Sequence, residues 1–283
     1  MTAPAVNPES MPARLAIVTG GSRGIGRVLV KSLVEAGYDV RFTFRTSEAE
    51  ARSLEEELPG RCRGSGVDGT DASAVSAFVG SVQAEGPVSL LVNNAGITRD
   101  NLVDRVGADE VSSVIDNNLC ATVHFCRAVL PQMRRVRYGD IVNISSLASG
   151  NVRPGNAMYG ASKAAVERFG QSLAIECARS NIAVNTVAPG FVETELTAGF
   201  LDGPARRDLL SRIPLRRLTT ADEVADAVLM LAARRPLLIG VTLLVDGVGG
   251  RIVETGGSPA YQEVTEPTEI TVSTAPTEHH DWF

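Results

Sequence analysis

Seven residues between an apolar run and a helical pattern constrain this chain more than any other stretch. Arg14-Leu-Ala-Ile-Val-Thr19 reads as a buried strand. Gly20-Gly21-Ser22-Arg23-Gly24-Ile25-Gly26 follows at once, and a helical pattern then runs through Val28, Leu29, Leu33 and Val34 to a stop at Gly37. Strand, glycine turn and helix together bring backbone N–H groups and the positive end of a helix to a phosphate. The spacing, Gly-x-x-x-Gly-x-Gly, is one residue wider than the usual dinucleotide fingerprint, but the flanking strand and helix support phosphate binding.

The next strand, Asp39 to Phe44, ends at Arg45-Thr46-Ser47. In dinucleotide folds an acidic residue here binds the ribose hydroxyls of NAD, whereas a basic one accommodates the extra phosphate of NADP. Arg45 stands at this place, Arg23 lies in the glycine turn, and the charges favour NADP. A helix over Glu48 to Leu58 breaks at Pro59-Gly60; a strand near Arg63 to Val67 ends at Asp68, and Asp71 caps a helix to Glu85. The strand Val88 to Val92 runs into Asn93-Asn94-Ala95-Gly96, whose small and amide side chains suit close passage of a ligand over a parallel sheet. Helical stretches over Ala108 to Leu119 and Cys120 to Arg135 precede the strand Asp140 to Ser145. A helix carrying Tyr159 runs to about Arg179, and the strand Ile182 to Val187 ends at Ala188-Pro189-Gly190. Residues 194–217 read as a mobile helical insertion. Thr220 caps an amphipathic helix to Arg234, and a last strand, Gly240 to Val245, ends at Asp246-Gly247. Seven strands alternating with helices imply an α/β fold: one doubly wound domain over 14–250, its parallel sheet covered by helices on both faces.

No run approaches the roughly 20 apolar residues of a membrane span. Residues 1–13, a flexible lead-in, lack a basic region followed by an apolar core, so the expected location is cytoplasmic. Residues 251–283, rich in Thr, Glu and Pro, read as a disordered acidic tail. From Glu254 onward there is no Lys or Arg, and six acidic residues carry the whole net charge of −6. The body is therefore neutral and gives no support to nucleic-acid binding. The cysteines, Cys62, Cys120, Cys126 and Cys177, form no Cys-x-x-Cys pair and read as reduced, mostly core, thiols; the three histidines offer no metal constellation.

Tyr159-Gly160-Ala161-Ser162-Lys163 places a phenol and an ammonium one helical turn apart on one face. A tyrosine with a pKa near 10 is a poor proton donor at neutral pH; lowering it to about 7 takes roughly 4 kcal/mol of interaction, which a nearby ammonium supplies. Ser146, just after a strand, offers a hydroxyl for a substrate oxygen. By themselves these residues read first as two exposed polar residues on a helix face.

In this order and spacing the motifs resemble those of the short-chain dehydrogenase/reductase family, over roughly residues 13–250. The residues that carry the resemblance are Thr19 to Gly26, Asn93 to Gly96, Asn118, Ser146, Tyr159 with Lys163, Pro189-Gly190 and Val245-Asp246-Gly247. Within the family the chain is most similar to bacterial 3-oxoacyl-[acyl-carrier-protein] reductases, on Asn93-Asn-Ala-Gly-Ile-Thr-Arg-Asp-Asn-Leu102 and Val187-Ala-Pro-Gly-Phe-Val-Glu-Thr194. The resemblance implies a Rossmann-type domain and a catalytic set of Asn118, Ser146, Tyr159 and Lys163. Ser146 would bond the substrate carbonyl, with Ser145 the weaker candidate; Tyr159 would donate the proton. Lys163 would bind the nicotinamide ribose and depress the tyrosine pKa, and Asn118 would hold a water that relays protons. NADPH is the implied cofactor, held by Gly20, Ser22, Arg23, Gly24, Ile25, Gly26, Arg45, Thr46, Asp68, Asn94, Ala95, Gly96, Tyr159, Lys163, Pro189, Gly190, Val192 and Thr194.

The implied reaction is reduction of a 3-oxoacyl thioester on carrier protein or CoA. The alternatives are another ketone or alcohol (polyketide, cyclic ketone or sugar) and a nucleotide-binding interaction protein without catalysis. An acidic carrier protein would need basic residues near the pocket mouth, and Arg134, Arg135, Arg137 and Arg179 are the candidates; the same arginines also complement helix dipoles. The family implies a homotetramer or homodimer. Two stretches depart from it: Pro236-Leu-Leu-Ile-Gly240 lacks the family's Tyr-Ile-Thr-Gly, and the tail has no counterpart.

Overall fold

Successive strand residues point to opposite faces of a sheet, and here both faces are apolar. In β1 (Leu15–Val18), Ala16 and Val18 pack into one layer and Leu15 and Ile17 into the other. The first layer takes Leu29, Val30 and Leu33 from α1 (Gly24–Glu35), Leu54 from α2 (Glu48–Glu57) and Val224, Val228 and Leu231 from α8 (Ala221–Ala232). The second takes Val75, Phe78 and Val82 from α3 (Ala72–Glu85), Phe125, Val129 and Met133 from α5 (Ala121–Val136), and Leu173 and Cys177 from α6 (Ala157–Ala178). The computed structural model describes residues 14–193, 203–233 and 238–247. The chain divides into two units, Met1–Arg251 and Ile252–Phe283. The expected lead-in, the acidic tail, and residues 194–202 of the expected insertion lie outside the described residues.

The sheet is parallel and seven-stranded, in the order β3-β2-β1-β4-β5-β6-β7. Its other strands are β2 (Asp39–Phe44), β3 (Cys62–Gly66), β4 (Val88–Asn93), β5 (Gly139–Ile144), β6 (Ile182–Pro189) and β7 (Thr242–Val245). Connections run outward from β1 to β3 on one side and from β4 to β7 on the other. The loops leaving β1 and β4 therefore part from each other, which makes a crevice at the carboxyl edge. The register brings Val18 beside Val92, Asn93 beside Asn143 and Ile144 beside Val187, so the strand ends that carry the motifs line one edge.

Two expected caps are present. Asp71 Oδ1 accepts from Ser73 N at 2.8 Å and Ala74 N at 3.1 Å. Thr220 Oγ1 accepts from Glu223 N at 3.2 Å while Glu223 Oε2 accepts from Thr220 N at 2.9 Å, a reciprocal capping box. A helix expected to run from Ala108 to Leu119 differs: α4 (Ala108–Ile115) stops early and passes through a wide π turn, Asp116–Cys120, into α5. Its cause is Asn118, whose side chain is drawn sideways to the main chain of Ile97. The expected insertion holds α7 (Gly203–Arg212). All four cysteines are free thiols; Cys62, Cys126 and Cys177 are buried. Among the described residues no helix is long and apolar enough to cross a membrane.

Candidate active site

At the end of β1 the glycine turn is held by its neighbour strand. Thr19 Oγ1 accepts from Asn94 N and Ala95 N, each at 2.9 Å, and Asn94 Nδ2 donates to Thr19 O at 3.0 Å and Gly20 O at 3.2 Å. Asn94 is thus a strut for the turn, its amide already engaged there. Gly26 has no alternative: a Cβ on it would lie 2.0 Å from Gly20 O, so only glycine lets α1 start this close to the turn. The Arg23 side chain makes no cap on α1 at its N-cap, and the first turn of α1 brings backbone N–H groups to the edge beside the glycine turn. Gly24 is left-handed (φ 52°), Ser22 is buried and Ile25 lies in the first turn.

Arg45 and Thr46 stand exposed at the end of β2, where Arg45 Nη1 donates to Asn117 Oδ1 at 3.1 Å. Asp68, after β3, accepts from Thr70 N at 2.9 Å and Thr70 Oγ1 at 2.8 Å; these bonds, with Arg45 nearby, hold its carboxyl below the usual range. At the end of β6, Gly190 backs onto Asp246, and Val192 is buried and bridges to Thr219. Thr194 lies outside the described residues.

β5 delivers Ser145 and Ser146 to the same edge, with opposite fates. Ser145 is buried, its Oγ bonded to Glu167 Oε1 at 2.6 Å and Lys163 O at 3.2 Å, so it ties β5 to α6. Ser146 Oγ accepts from Ala148 N at 3.2 Å, and its hydroxyl lies near enough to the Tyr159 phenol to favour the ionised form. On α6, Lys163 Nζ lies 5.8 Å from the centre of the Tyr159 ring and donates to Ile144 O at 2.9 Å. Asn118 is 1% exposed; its carboxamide bonds Ile97 N at 2.8 Å, Ile97 O at 2.9 Å and Ser162 Oγ at 2.9 Å, and Ser162 Oγ donates onward to Tyr159 O at 2.7 Å. Gly96 fits between these groups, since a Cβ on it would meet Asn118 Oδ1 at 3.1 Å and Lys163 Nζ at 3.2 Å. The crevice thus joins Gly96, Asn118, Ser146, Tyr159 and Lys163 from four segments of chain.

The expected depression of the Tyr159 pKa is absent. Although the ring is only half-buried, its oxygen is desolvated, and that outweighs the opposing effect of Ser146 and pushes the phenol upward. The ammonium donates to Ile144 O, with its Nζ 5.8 Å from the ring centre. Burial brings Lys163 down to about 8, so it stays largely charged at neutral pH. A protonated phenol beside a second hydroxyl and a cation can donate a proton to an oxygen that gains negative charge.

Sequence reasoning passed over Ser162, Glu167, Asp100, Arg153 and Asn156, all engaged around this site. Ser162 and Asp100 had a visible signal, the one inside the Tyr159–Lys163 segment and the other inside Asn93 to Leu102. The arginines expected near the pocket mouth do gather: Arg137 Nη2 donates to Arg179 O at 2.8 Å, and Arg134 is near Cys177. They stand before β5 and β6, however, at the amino edge of the sheet. With about 3.3 Å per strand residue, that is roughly 20 Å from the serines, on the wrong side for a mouth within one chain.

A family model for short chain dehydrogenase matches residues 14–204. The chain belongs to the short-chain dehydrogenase family. It is an oxidoreductase of that family, 40% identical over 240 residues to the 3-oxoacyl-[acyl-carrier-protein] reductase FabG of Salmonella typhimurium, covering 84% of this chain and 98% of that one. The Escherichia coli K12 protein of the same name is 39% identical over 236 residues, covering 83% and 96%. Among solved structures, a gluconate 5-dehydrogenase from Burkholderia cenocepacia in complex with NADP and tartrate superposes with a TM-score of 0.77 at 34% identity, covering 83% of this chain and 94% of that one. ElxO with NADP bound gives 0.78 at 29% identity, covering 83% and 98%.

Proposed function

We propose that this protein is an NADPH-dependent carbonyl reductase that converts 3-oxoacyl thioesters, on carrier protein or CoA, to 3-hydroxyacyl thioesters. The observation that carries the reading is the gathering of Ser146, Tyr159, Lys163 and Asn118 at the carboxyl edge of the sheet, the same edge as the glycine turn that starts α1. Similarity to FabG over most of the chain supports the substrate class.

The residues present fit a dinucleotide. The turn from Gly20 to Gly26 and the N-terminal end of α1 suit the pyrophosphate, Arg23, Arg45 and Thr46 the 2′-phosphate, and Asp68 the adenosine side. Ala95 and Gly96, with Pro189, Gly190, Val192 and Thr194, would flank the nicotinamide, while Tyr159 and Lys163 would hold its ribose. When bound, the cofactor supplies the hydride. Ser146 and Tyr159 both donate to the substrate oxygen, and these bonds strengthen as negative charge builds there, which favours the transition state over the ground state. Tyr159 gives up its proton; the Lys163 ammonium steadies the phenolate left behind, and Asn118 keeps the route from Lys163 to solvent in place. The raised phenol pKa suits this direction, because the proton donor must be protonated at rest.

The arginine cluster from Arg134 to Arg179 matches an acidic carrier in charge. It reaches a site only if another copy brings its amino edge beside this carboxyl edge, which accords with a homodimer or homotetramer. A second reading, a sugar-acid dehydrogenase, has the gluconate dehydrogenase likeness in its favour. Measuring kcat/KM over acetoacetyl thioesters and a keto-gluconate with each cofactor decides between them. Thioesters are expected to win, and NADPH to exceed NADH by about 10- to 100-fold, the worth of one charge-assisted contact, with Arg45→Asp reversing that order. Turnover of the sugar acid alone overturns the substrate reading; equal rates with both cofactors overturn the role of Arg45.

A further inference from the structure

Ser146 and Tyr159 stand at the two ends of one loop, residues 147–156, so whatever holds that loop sets the distance between them. The loop has no regular structure beyond a short turn at Leu147–Ser149. Its far end is pinned from outside. Arg153 Nη2 donates to Asp100 Oδ2 at 2.8 Å, Asn156 Nδ2 donates to Asp100 Oδ1 at 2.9 Å, and Asn101 N donates to Gly155 O at 2.8 Å. Thr98 Oγ1 also donates to Asp100 Oδ1. Asp100 belongs to the loop that begins Asn94-Ala95-Gly96, so the contact joins the catalytic loop to the loop bordering the cofactor crevice. The guanidinium of Arg153 also lies 6.0 Å from the centre of the Phe191 ring, beyond β6, and reaches a third wall of the site.

We propose that Asp100 and Arg153 are positioning residues for the reaction: their ion pair latches the 147–156 loop to the loop after β4 and so fixes Ser146 and Tyr159 relative to each other. The inference rests on the reductase reading above. Stability alone is a weak explanation for the pair, because an ion pair with one partner 38% exposed contributes little. Asp100 in contrast is only 18% exposed and accepts from three side chains, an arrangement suited to holding geometry. Among the described residues, the charged groups that act on the Tyr159 phenol are Asp100 and Arg153, and Lys163 Nζ on its own helix lies 5.8 Å from the ring centre. Asp100 raises the phenol pKa and Arg153 lowers it, so the two partners of the latch act on the proton donor in opposite directions.

The test compares Arg153→Ala, Asp100→Ala, the double variant, and Arg153→Lys, each checked for folding by circular dichroism. Both single alanine variants are expected to lower kcat for an acetoacetyl thioester about 10- to 100-fold, as for small misplacements of reacting groups, with NADPH affinity nearly unchanged. The double variant should be no worse than the poorer single one, since both changes break the same contact. Arg153→Lys, which keeps the charge, should recover most of kcat. Titrating the Tyr159 phenol by ultraviolet absorbance without substrate, against Tyr159→Phe as blank, gives a readout independent of turnover. The midpoint should rise in Arg153→Ala and fall in Asp100→Ala. Unchanged kcat in the single variants, additive losses in the double, or shifts in the same direction overturn the latch. Should Tyr159→Phe itself keep full activity, the fault lies with the reductase reading instead.

Discussion

Tyr159→Phe is expected to lower kcat for ketone reduction by about a thousandfold while NADPH still binds, within the range that positioned proton donors contribute. The change removes one oxygen and keeps the ring over which Lys163 Nζ sits. Ser146 would remain as the other donor to the substrate oxygen, so some stabilisation of developing charge persists and the loss is not total. Stopped-flow measurement of NADPH oxidation, with fluorescence titration of the cofactor, separates chemistry from binding. Loss of cofactor affinity with kcat intact would assign Tyr159 to binding alone.

Lys163→Met should also abolish most turnover, yet it should make the protein more stable at pH 7. Burial lowers the lysine from 10.5 to about 8, and its folded form therefore resists the charge. Below pH 8 the lysine is charged in both folded and unfolded chains, and the full cost of about 3 kcal/mol is present. Between pH 8 and 10.5 the unfolded chain holds a proton that the folded one has released. Stability of the wild type from this group accordingly rises with pH across that window. Methionine removes the cost but leaves Ile144 O without its donor, an offset of about 1 kcal/mol, so a net gain of about 2 kcal/mol remains at pH 7. Tyr159, raised above its ordinary value, acts in the opposite sense above about pH 10 and marks the upper end of the window. Urea unfolding of both proteins at pH 7, 8, 9 and 10 reads this directly. A wild type whose stability is flat from pH 8 to 10, or a methionine variant weaker at pH 7, contradicts the burial argument.

Much of this fold was legible because its signals are local. Apolar runs, two side-chain caps and the glycine turn each act within a few residues, and the parallel order follows from alternating strands and helices. The four catalytic candidates also come together as expected, since each sits at or near the carboxyl edge. What stayed hidden depends on contacts across the sequence. Asp100 and Arg153 are 53 positions apart, and nothing in their local pattern marks them as partners. Asn118 lay in a helical pattern, but its side chain found the main chain of Ile97 and opened a π turn. The same holds for Asn94, whose amide serves the glycine turn. Charge at a helix end shows that an arginine is exposed, but only the strand direction shows at which edge, and so Arg137 and Arg179 were expected on the wrong one. The pKa of Tyr159 was misjudged for a related reason: spacing puts Lys163 on the same face of α6, but the direction of its Nζ is set by Ile144 O on another element.

The central claim is that this crevice transfers hydrogen to the carbonyl carbon of a 3-oxoacyl thioester while Tyr159 protonates its oxygen. Incubating the protein with acetoacetyl thioester and NADPH deuterated at the transferring position tests it most directly. The account predicts a 3-hydroxy product carrying deuterium at C3, formed by the wild type and all but lost with Tyr159→Phe. A product without deuterium at C3, or one formed equally well by the phenylalanine variant, contradicts it.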